Sequence, residues 1–291
     1  MVYTIKSGKL TAKINSYGAE LTSVVGEDGF DYIWQCPGEG FWADHSPVLF
    51  PHCGRILNST YTYDGKSYDM GTHGFAKEKD FSLVSISEDT LVLSLASDNE
   101  TRKIYPFDFA LNITFSVCEN ALNVKFSVQN TGKYELPYML GWHPGFALDN
   151  CTDAPIGNFK LAMSGKNSLT WHPLMNGCFV NPVGVPYPIK DSAYHLCEEE
   201  IYSNDTMIFV GTGDEVTLTC DGCHGLKMSW SENLPYFCIW KQPRSDARFV
   251  CLEPWSDIPG DGATAENFNE KKMSRLPEGE SEDYVYNMIF N

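Results

Sequence analysis

Apolar and polar positions alternate with a period of two over most of this chain. Leu111-Asn112-Ile113-Thr114-Phe115-Ser116-Val117 alternates strictly, Glu119-Asn120 turns the chain, and Leu122-Asn123-Val124-Lys125-Phe126-Ser127-Val128 alternates again. Successive side chains of a strand point to opposite faces, so each segment predicts a strand with one face in a core and one in water. Residues 81–86 and 91–95 predict a hairpin across the polar Ser87-Glu88-Asp89-Thr90. Asp64-Gly65, a dipeptide suited to tight hairpin turns, separates Tyr61-Thr62-Tyr63 from Ser67-Tyr68-Asp69-Met70. Residues 216–220 with 227–230, and 236–240 with 248–252, predict further pairs, and 284–290 a last strand.

Helical spacing of apolar residues is weak throughout. Short helices are expected only near residues 39–44 and 263–268. Glycines and prolines are scattered through the connections and mark no linker. Residues 149–205 are rich in Pro, Gly and Asn and predict a long loop-like excursion over a binding face. The simplest reading is a single all-β domain over residues 1–291, built of many antiparallel strands.

Charge narrows the partners. With 21 Lys+Arg against 38 Asp+Glu, the formal net charge is −17. That balance disfavours nucleic acid, which binds through basic side chains on phosphates, and anionic membrane surfaces. A phosphorylated substrate would need a local cluster of arginines. No run approaches the roughly 18 apolar residues of a spanning helix. No basic region followed by an apolar run opens the chain, so a cytoplasmic location is expected. The ten cysteines show no framework spacing and are expected to be free, often buried, thiols. The pattern carries no signal of oligomeric state.

Four clusters could carry chemistry. Pro47-Val48-Leu49-Phe50-Pro51-His52-Cys53-Gly54-Arg55 ends an apolar run in a turn that delivers an arginine, whose guanidinium donates several fixed hydrogen bonds to oxygens. A surface arginine after a strand is the plainer reading. Gly71-Thr72-His73-Gly74-Phe75 leaves a histidine uncrowded between glycines, or is simply a turn. Leu140-Gly141-Trp142-His143-Pro144-Gly145-Phe146 holds a histidine, which titrates near neutrality, at a rigid aromatic-walled bend. A packed structural histidine is the alternative. Phe249-Val250-Cys251-Leu252-Glu253-Pro254-Trp255 runs an apolar strand into a carboxylate, costly unless paired or working. A glutamate on a rim is the alternative there.

Together and in this order, the clusters resemble the aldose 1-epimerase (galactose mutarotase-like) family, in its LacX-like branch. The matching pieces are Phe41-Trp42, Pro47-Val48-Leu49-Phe50-Pro51 leading to Gly54-Arg55, and Thr72-His73-Gly74-Phe75-Ala76. Tyr105-Pro106-Phe107-Asp108-Phe109, Gly141-Trp142-His143-Pro144-Gly145-Phe146, Asn204-Asp205-Thr206 and Cys251-Leu252-Glu253-Pro254-Trp255 complete the series. The resemblance implies a large antiparallel β-sandwich of the supersandwich type. It implies Glu253 as catalytic base and His143 as catalytic acid. It implies Arg55, His73 and Asp205 as sugar-binding residues, with Trp42 or another aromatic as an apolar platform. His52 has no counterpart in that set.

The implied reaction interconverts the α and β anomers of a free aldohexose through the open-chain aldehyde. A base removes the C1 hydroxyl proton and an acid protonates the ring oxygen, each worth roughly 10²- to 10⁴-fold. Redox change and group transfer are absent, so no cofactor and no metal is required. The expected working states are an ionised Glu253 and a protonated His143 on opposite sides of the sugar. Competing readings are a hexose-6-phosphate 1-epimerase, for which Arg102, Arg244, Arg248 and Arg275 would have to join Arg55, and a non-catalytic carbohydrate-binding sensor. A glycosidase would need a second well-placed carboxylate. Cys220-Asp221-Gly222-Cys223-His224 offers one metal-like pair that also reads as a hairpin turn.

Overall fold

The computed structural model describes residues 1–148, 155–164, 168–243, 245 and 247–291. Cys151 and Arg244, and residues 149–154 and 165–167 of the long excursion, lie outside the described residues.

Two large antiparallel sheets dominate. The first runs, edge to edge, through Ala193–His195, Lys160–Met163, Glu215–Thr219, Leu226–Trp230, Ser281–Phe290, Ala121–Asn130, Phe109–Cys118, Thr90–Ala96 and Ser82–Ile86. The second runs through Val185–Pro188, Ser168–His172, Thr206–Val210, Tyr236–Trp240, Phe249–Trp255, Gly141–Trp142 and Val48–Leu49, and Gly145–Ala147 also pairs with Phe249–Trp255. The strictly alternating segments are the centre of the first sheet. Leu122, Val124, Phe126 and Val128 are buried and sit opposite Val117, Phe115, Ile113 and Leu111. Burying both members of each cross-strand pair pins the register, because a slip of one residue would turn every apolar side chain to water.

The sheets meet face to face. Trp230 of the first stacks on Phe237 of the second at 5.0 Å, and Trp142 lies against Phe126 and Tyr286. The Tyr286 hydroxyl donates to the Pro254 carbonyl at 3.0 Å, giving a buried polar group its partner. Phe249–Trp255 is buried along its whole length, as a strand covered on both faces must be. Val250 and Leu252 join the large core, whereas Phe249 and Cys251 pack with Trp34, Trp42 and Trp240 on the other side. That second face carries the candidate site.

Two expectations require correction. Residues 39–44 and 263–268 form no helix. Positive φ at Gly38 and Gly40 breaks the first into turns, and Glu266–Asn267 pairs in parallel with Thr60–Tyr63. Among the described residues the α-helices are Thr101–Ile104 and Glu198–Asn204. Nor is the stretch 149–205 a loop over one face. It supplies two strands to each sheet and the small hairpin Leu174–Met175 with Phe179–Val180.

Candidate functional site

Three neighbouring strands of the second sheet form the floor of a cavity of about 370 Å³. Thr206 faces Trp240 across one strand pair, Ile208 faces Cys238, and Cys238 faces Glu253 across the next. Residues opposite one another share a face, and so do residues two apart on one strand. Thr206, Ile208, Trp240, Glu253 and Trp255 therefore line one surface. Loops from the other edge supply Trp42, Asp44, Arg55, His73, Lys77 and His143, and the hairpin supplies Leu174, Cys178 and Val180. The sequence-derived set of Glu253, His143, Arg55, His73, Asp205 and Trp42 thus converges on one cavity.

Glu253 is not at the end of its strand, as the sequence suggested, but inside it, 1% exposed. His143 follows the short strand Gly141–Trp142, and its backbone N–H donates to the Pro47 carbonyl at 3.1 Å. Its ring lies among Trp42 at 5.2 Å, Trp240 at 5.3 Å and His73 at 5.6 Å. Nε2 of His143 is 3.4 Å from Oε1 of Glu253. The two groups stand side by side rather than on opposite sides of a ring. Neither carboxylate oxygen of Glu253 has a hydrogen-bond partner among the described residues.

Burial dominates the electrostatics of this pair. It pushes the Glu253 carboxyl well above the usual carboxylate range, against the nearby Trp255 indole and with the help of Asp205. It pulls His143 down to about 4. Both shifts run against the expected standing carboxylate and imidazolium. Net charge is a property of the surface, whereas these groups answer to lost hydration. His73 is also held well below its usual range, by burial first and then by the charges of His143, Lys77, His52 and Arg55.

The rim is polar. The Gly54 N–H donates to Nδ1 of His73 at 3.0 Å, and the His73 N–H donates to Gly54 O at 2.8 Å. Gly54 has φ +74° and Gly74 φ +72°. A Cβ on Gly74 would lie 2.2 Å from the Phe50 carbonyl oxygen, so close backbone approach as well as backbone angle requires glycine there. Arg55 is exposed at the cavity with no ion pair among the described residues. Asp205 follows the helix Glu198–Asn204 and lines the cavity with Cys178, whose thiol is pushed up by burial first and then by Asp205.

A model of the family described as aldose 1-epimerase matches residues 1–288. The chain belongs to the aldose 1-epimerase family. It is 24% identical over 267 residues to protein LacX of Lactococcus lactis subsp. lactis, covering 89% of this chain and 88% of that one. A galactose mutarotase related enzyme from Lactobacillus acidophilus superposes with a TM-score of 0.92 at 29% identity, over 100% of this chain and 97% of that chain. A galactose mutarotase-like protein from Lactobacillus casei gives 0.92 at 25% identity over 100% of both. The family resemblance and the galactose mutarotase-like sandwich read from the sequence are both borne out.

Sequence reasoning left out several residues of this family member's cavity: Asp44, Lys77, Cys178, Trp240 and Trp255. Trp255 stood two places after Glu253, and that spacing on a strand was signal enough. Trp240 closes the uniformly apolar strand Tyr236–Trp240, which hides the face it shows, and only the register with Thr206 brings it to the cavity. Asp44 and Cys178 sit in irregular backbone and Lys77 in the short 3₁₀ turn Ala76–Glu78, none with a periodic signal. The Cys220–Cys223 pair does form a hairpin turn, with the sulfurs 3.3 Å apart, and the described residues place no group of three metal-ligating side chains there. No helix among the described residues is long and apolar enough to cross a membrane.

Proposed function

We propose that this protein is an aldose 1-epimerase acting on a free aldohexose, with Glu253 and His143 as its proton-transfer pair. The observation that carries this reading is the 3.4 Å separation of His143 Nε2 and Glu253 Oε1 on the floor of a sugar-sized cavity. The two oxygens that exchange protons in mutarotation, the C1 hydroxyl and the ring oxygen, are bonded to the same carbon. Side-by-side donors and acceptors suit them better than groups on opposite faces.

One proton belongs to the pair. In the empty site burial keeps it on Glu253 and leaves His143 neutral. The carboxylate–imidazolium form has the same number of protons. A bound sugar offers the hydroxyls that both charged groups lack, and so draws the proton to His143. Glu253 then takes the C1 hydroxyl proton while His143 protonates the ring oxygen, and the C1–O5 bond opens to the aldehyde. The transfer leaves both side chains uncharged, the state that their burial favours, so lost hydration promotes ring opening. Rotation about C1–C2 presents the other carbonyl face. Closure returns both protons.

The rim orients the ring. Because His73 Nδ1 accepts from Gly54, its neutral imidazole carries hydrogen on Nε2 and donates to a sugar oxygen. Arg55 donates through its fork and Asp205 accepts from a hydroxyl. Trp42 and Trp240 offer apolar faces to the C–H surface. Among the described residues Arg55 is the only arginine of the cavity. Arg102 pairs with Asp108, and Arg275 holds Glu135 and three backbone carbonyls. This supports a free sugar over a phosphorylated one.

Polarimetry with freshly dissolved α-anomers of glucose, galactose and xylose, and with the hexose 6-phosphates, tests the reading. Acceleration of the free sugars is expected. Preference for the phosphates would move the assignment to a hexose-6-phosphate 1-epimerase, and sugar binding without acceleration would make the protein a sensor.

A further inference from the structure

Cys251 has no part in the proton transfers above, yet it stands two residues before Glu253 on the same strand and faces the same way. A ring nitrogen of His143, Sγ of Cys251 and a carboxylate oxygen of Glu253 all lie within 4.8 Å of one another, and all three residues are buried. In a tetrahedral zinc site the usual Zn–N and Zn–O bond lengths put neighbouring N and O ligands about 3.4 Å apart. His143 Nε2 and Glu253 Oε1 are already at 3.4 Å. The longer Zn–S bond asks for a sulfur about 3.6 Å from each, so Cys251 has roughly an ångström to move.

We propose that His143, Cys251 and Glu253 form a binding site for a thiophilic divalent cation of the zinc type, which takes the place of the sugar and arrests the pair. Glu253 is buried and offers one carboxylate oxygen to this cluster, and neither of its oxygens has a hydrogen-bond partner among the described residues. A thiolate, a carboxylate and a neutral imidazole balance the charge of a dication, so the loaded site is electrically neutral, as a buried site requires. Loading releases the Cys251 thiol proton and the Glu253 carboxyl proton to solvent, and no electron moves. The surroundings favour a cation. Asp44 acts electrostatically on Cys251, and Asp205 on Glu253. Imidazole and thiolate together select zinc-like ions over magnesium or calcium. Of the three, His143 and Glu253 line the cavity and Cys251 lies behind them, so an ion held here would be reached from the cavity. Occupation of Nε2 and Oε1 by an ion excludes the two sugar oxygens that the proposed reaction would place there.

The test is a cobalt(II) titration of the metal-free protein, read by d–d absorption and by the thiolate-to-cobalt charge-transfer band. Both are expected in the wild type and in Cys220→Ser. In Cys251→Ser the charge-transfer band should vanish and cobalt affinity fall by roughly tenfold or more, the scale on which even the outer partners of metal ligands act. Zinc should displace the cobalt. Near-native circular dichroism and melting of Cys251→Ser make its spectrum interpretable, and Cys251→Ala serves if serine disturbs the fold. Absence of any band in the folded wild type overturns the proposal. So does a band that survives Cys251→Ser and is lost in Cys220→Ser, which would put the ion at the Cys220–Cys223 turn. These readouts do not depend on catalysis, so a protein without mutarotase activity would still answer the question. Where the activity is present, zinc should inhibit competitively with sugar, and more weakly in Cys251→Ser.

Discussion

Gly54 and His73 hold each other by reciprocal backbone contacts: the Gly54 amide donates to the His73 ring at 3.0 Å, and the His73 amide donates to the Gly54 carbonyl at 2.8 Å. The loop that carries Arg55 and the loop that carries His73 are therefore one mechanical unit. Gly54 also lies against Pro259, whose Cγ would be 2.6 Å from a Cβ placed there, and its φ of +74° disfavours any side chain. Gly54→Ala is expected to displace together the two side chains proposed to contact the sugar. A loss of up to roughly a hundredfold in kcat/KM follows, the scale of an ångström of misplacement. Steady-state kinetics check it, and unchanged kinetics in the folded variant would separate the loops from sugar binding.

Glu253→Gln and His143→Asn are each expected to lower kcat by roughly a hundredfold or more with the fold intact. The double variant should be little worse than either single one, because one proton is shared by the pair. Polarimetric kinetics of the three proteins, with circular dichroism as control, provide the measurement. Near-normal turnover from a folded single variant removes that residue from its role.

The pH profile of kcat/KM reports the unliganded pair. Below about 4 His143 gains a proton while Glu253 keeps its own, and no base remains. At high pH the pair loses its single proton as the raised Glu253 value is passed, and no acid remains. The profile should stay flat through pH 6.5, the ordinary histidine value, and drop as pH falls through about 4. A midpoint near 6.5 would contradict the buried-pair account.

A second buried ionic group bears on stability. Glu266 Oε2 lies 3.1 Å from His52 Nε2 and 3.2 Å from Lys271 Nζ, and Oε1 accepts from the Gly260 N–H. Burial alone would raise the Glu266 carboxyl. The His52 hydrogen bond, the charges of His52 and Lys271 and the Gly260 amide outweigh it and bring the value to about 2. A depressed carboxyl stabilises fully above its normal 4.5, and that stability is lost as pH falls from there through about 2. The pH-dependent part is on the order of 3 kcal/mol. Urea unfolding of the wild type and Glu266→Gln across that window should give a steeper acid loss for the wild type. Parallel curves would refute the linkage.

The parts of the fold legible in the sequence are those whose strands have one wet face. The pairs around residues 111–128 declared themselves because Asn112, Thr114 and Ser116 alternate with core residues. The strands of 149–205 did not, because they are short and stand among many Pro, Gly and Asn residues, which read as loop even where Ser168–His172 alternates. Val185-Pro186-Tyr187-Pro188 even carries two prolines, tolerable because it is an edge strand paired on one side. At the site, all six sequence-derived residues line the cavity; Arg55, His73, His143 and Glu253 stood out because each sits beside Gly, Pro or Trp, whereas Asp205 and Trp42 came only from the family resemblance. Protonation was misread for a physical reason: composition reports charge but not hydration. Cys251 was silent because, in an apolar run, a thiol reads as one more small core residue.

Glu253 sits on a strand sealed on both faces, while Arg55, Asp205 and the hairpin Leu174–Met175 with Phe179–Val180 approach from outside it. In the proposed reaction, the carboxylate that takes the proton and the side chains that meet the rest of the ring are thus borne by separate pieces of chain. New sugar preferences can arise by redrawing the hairpin and its neighbours, with the proton machinery inherited unaltered.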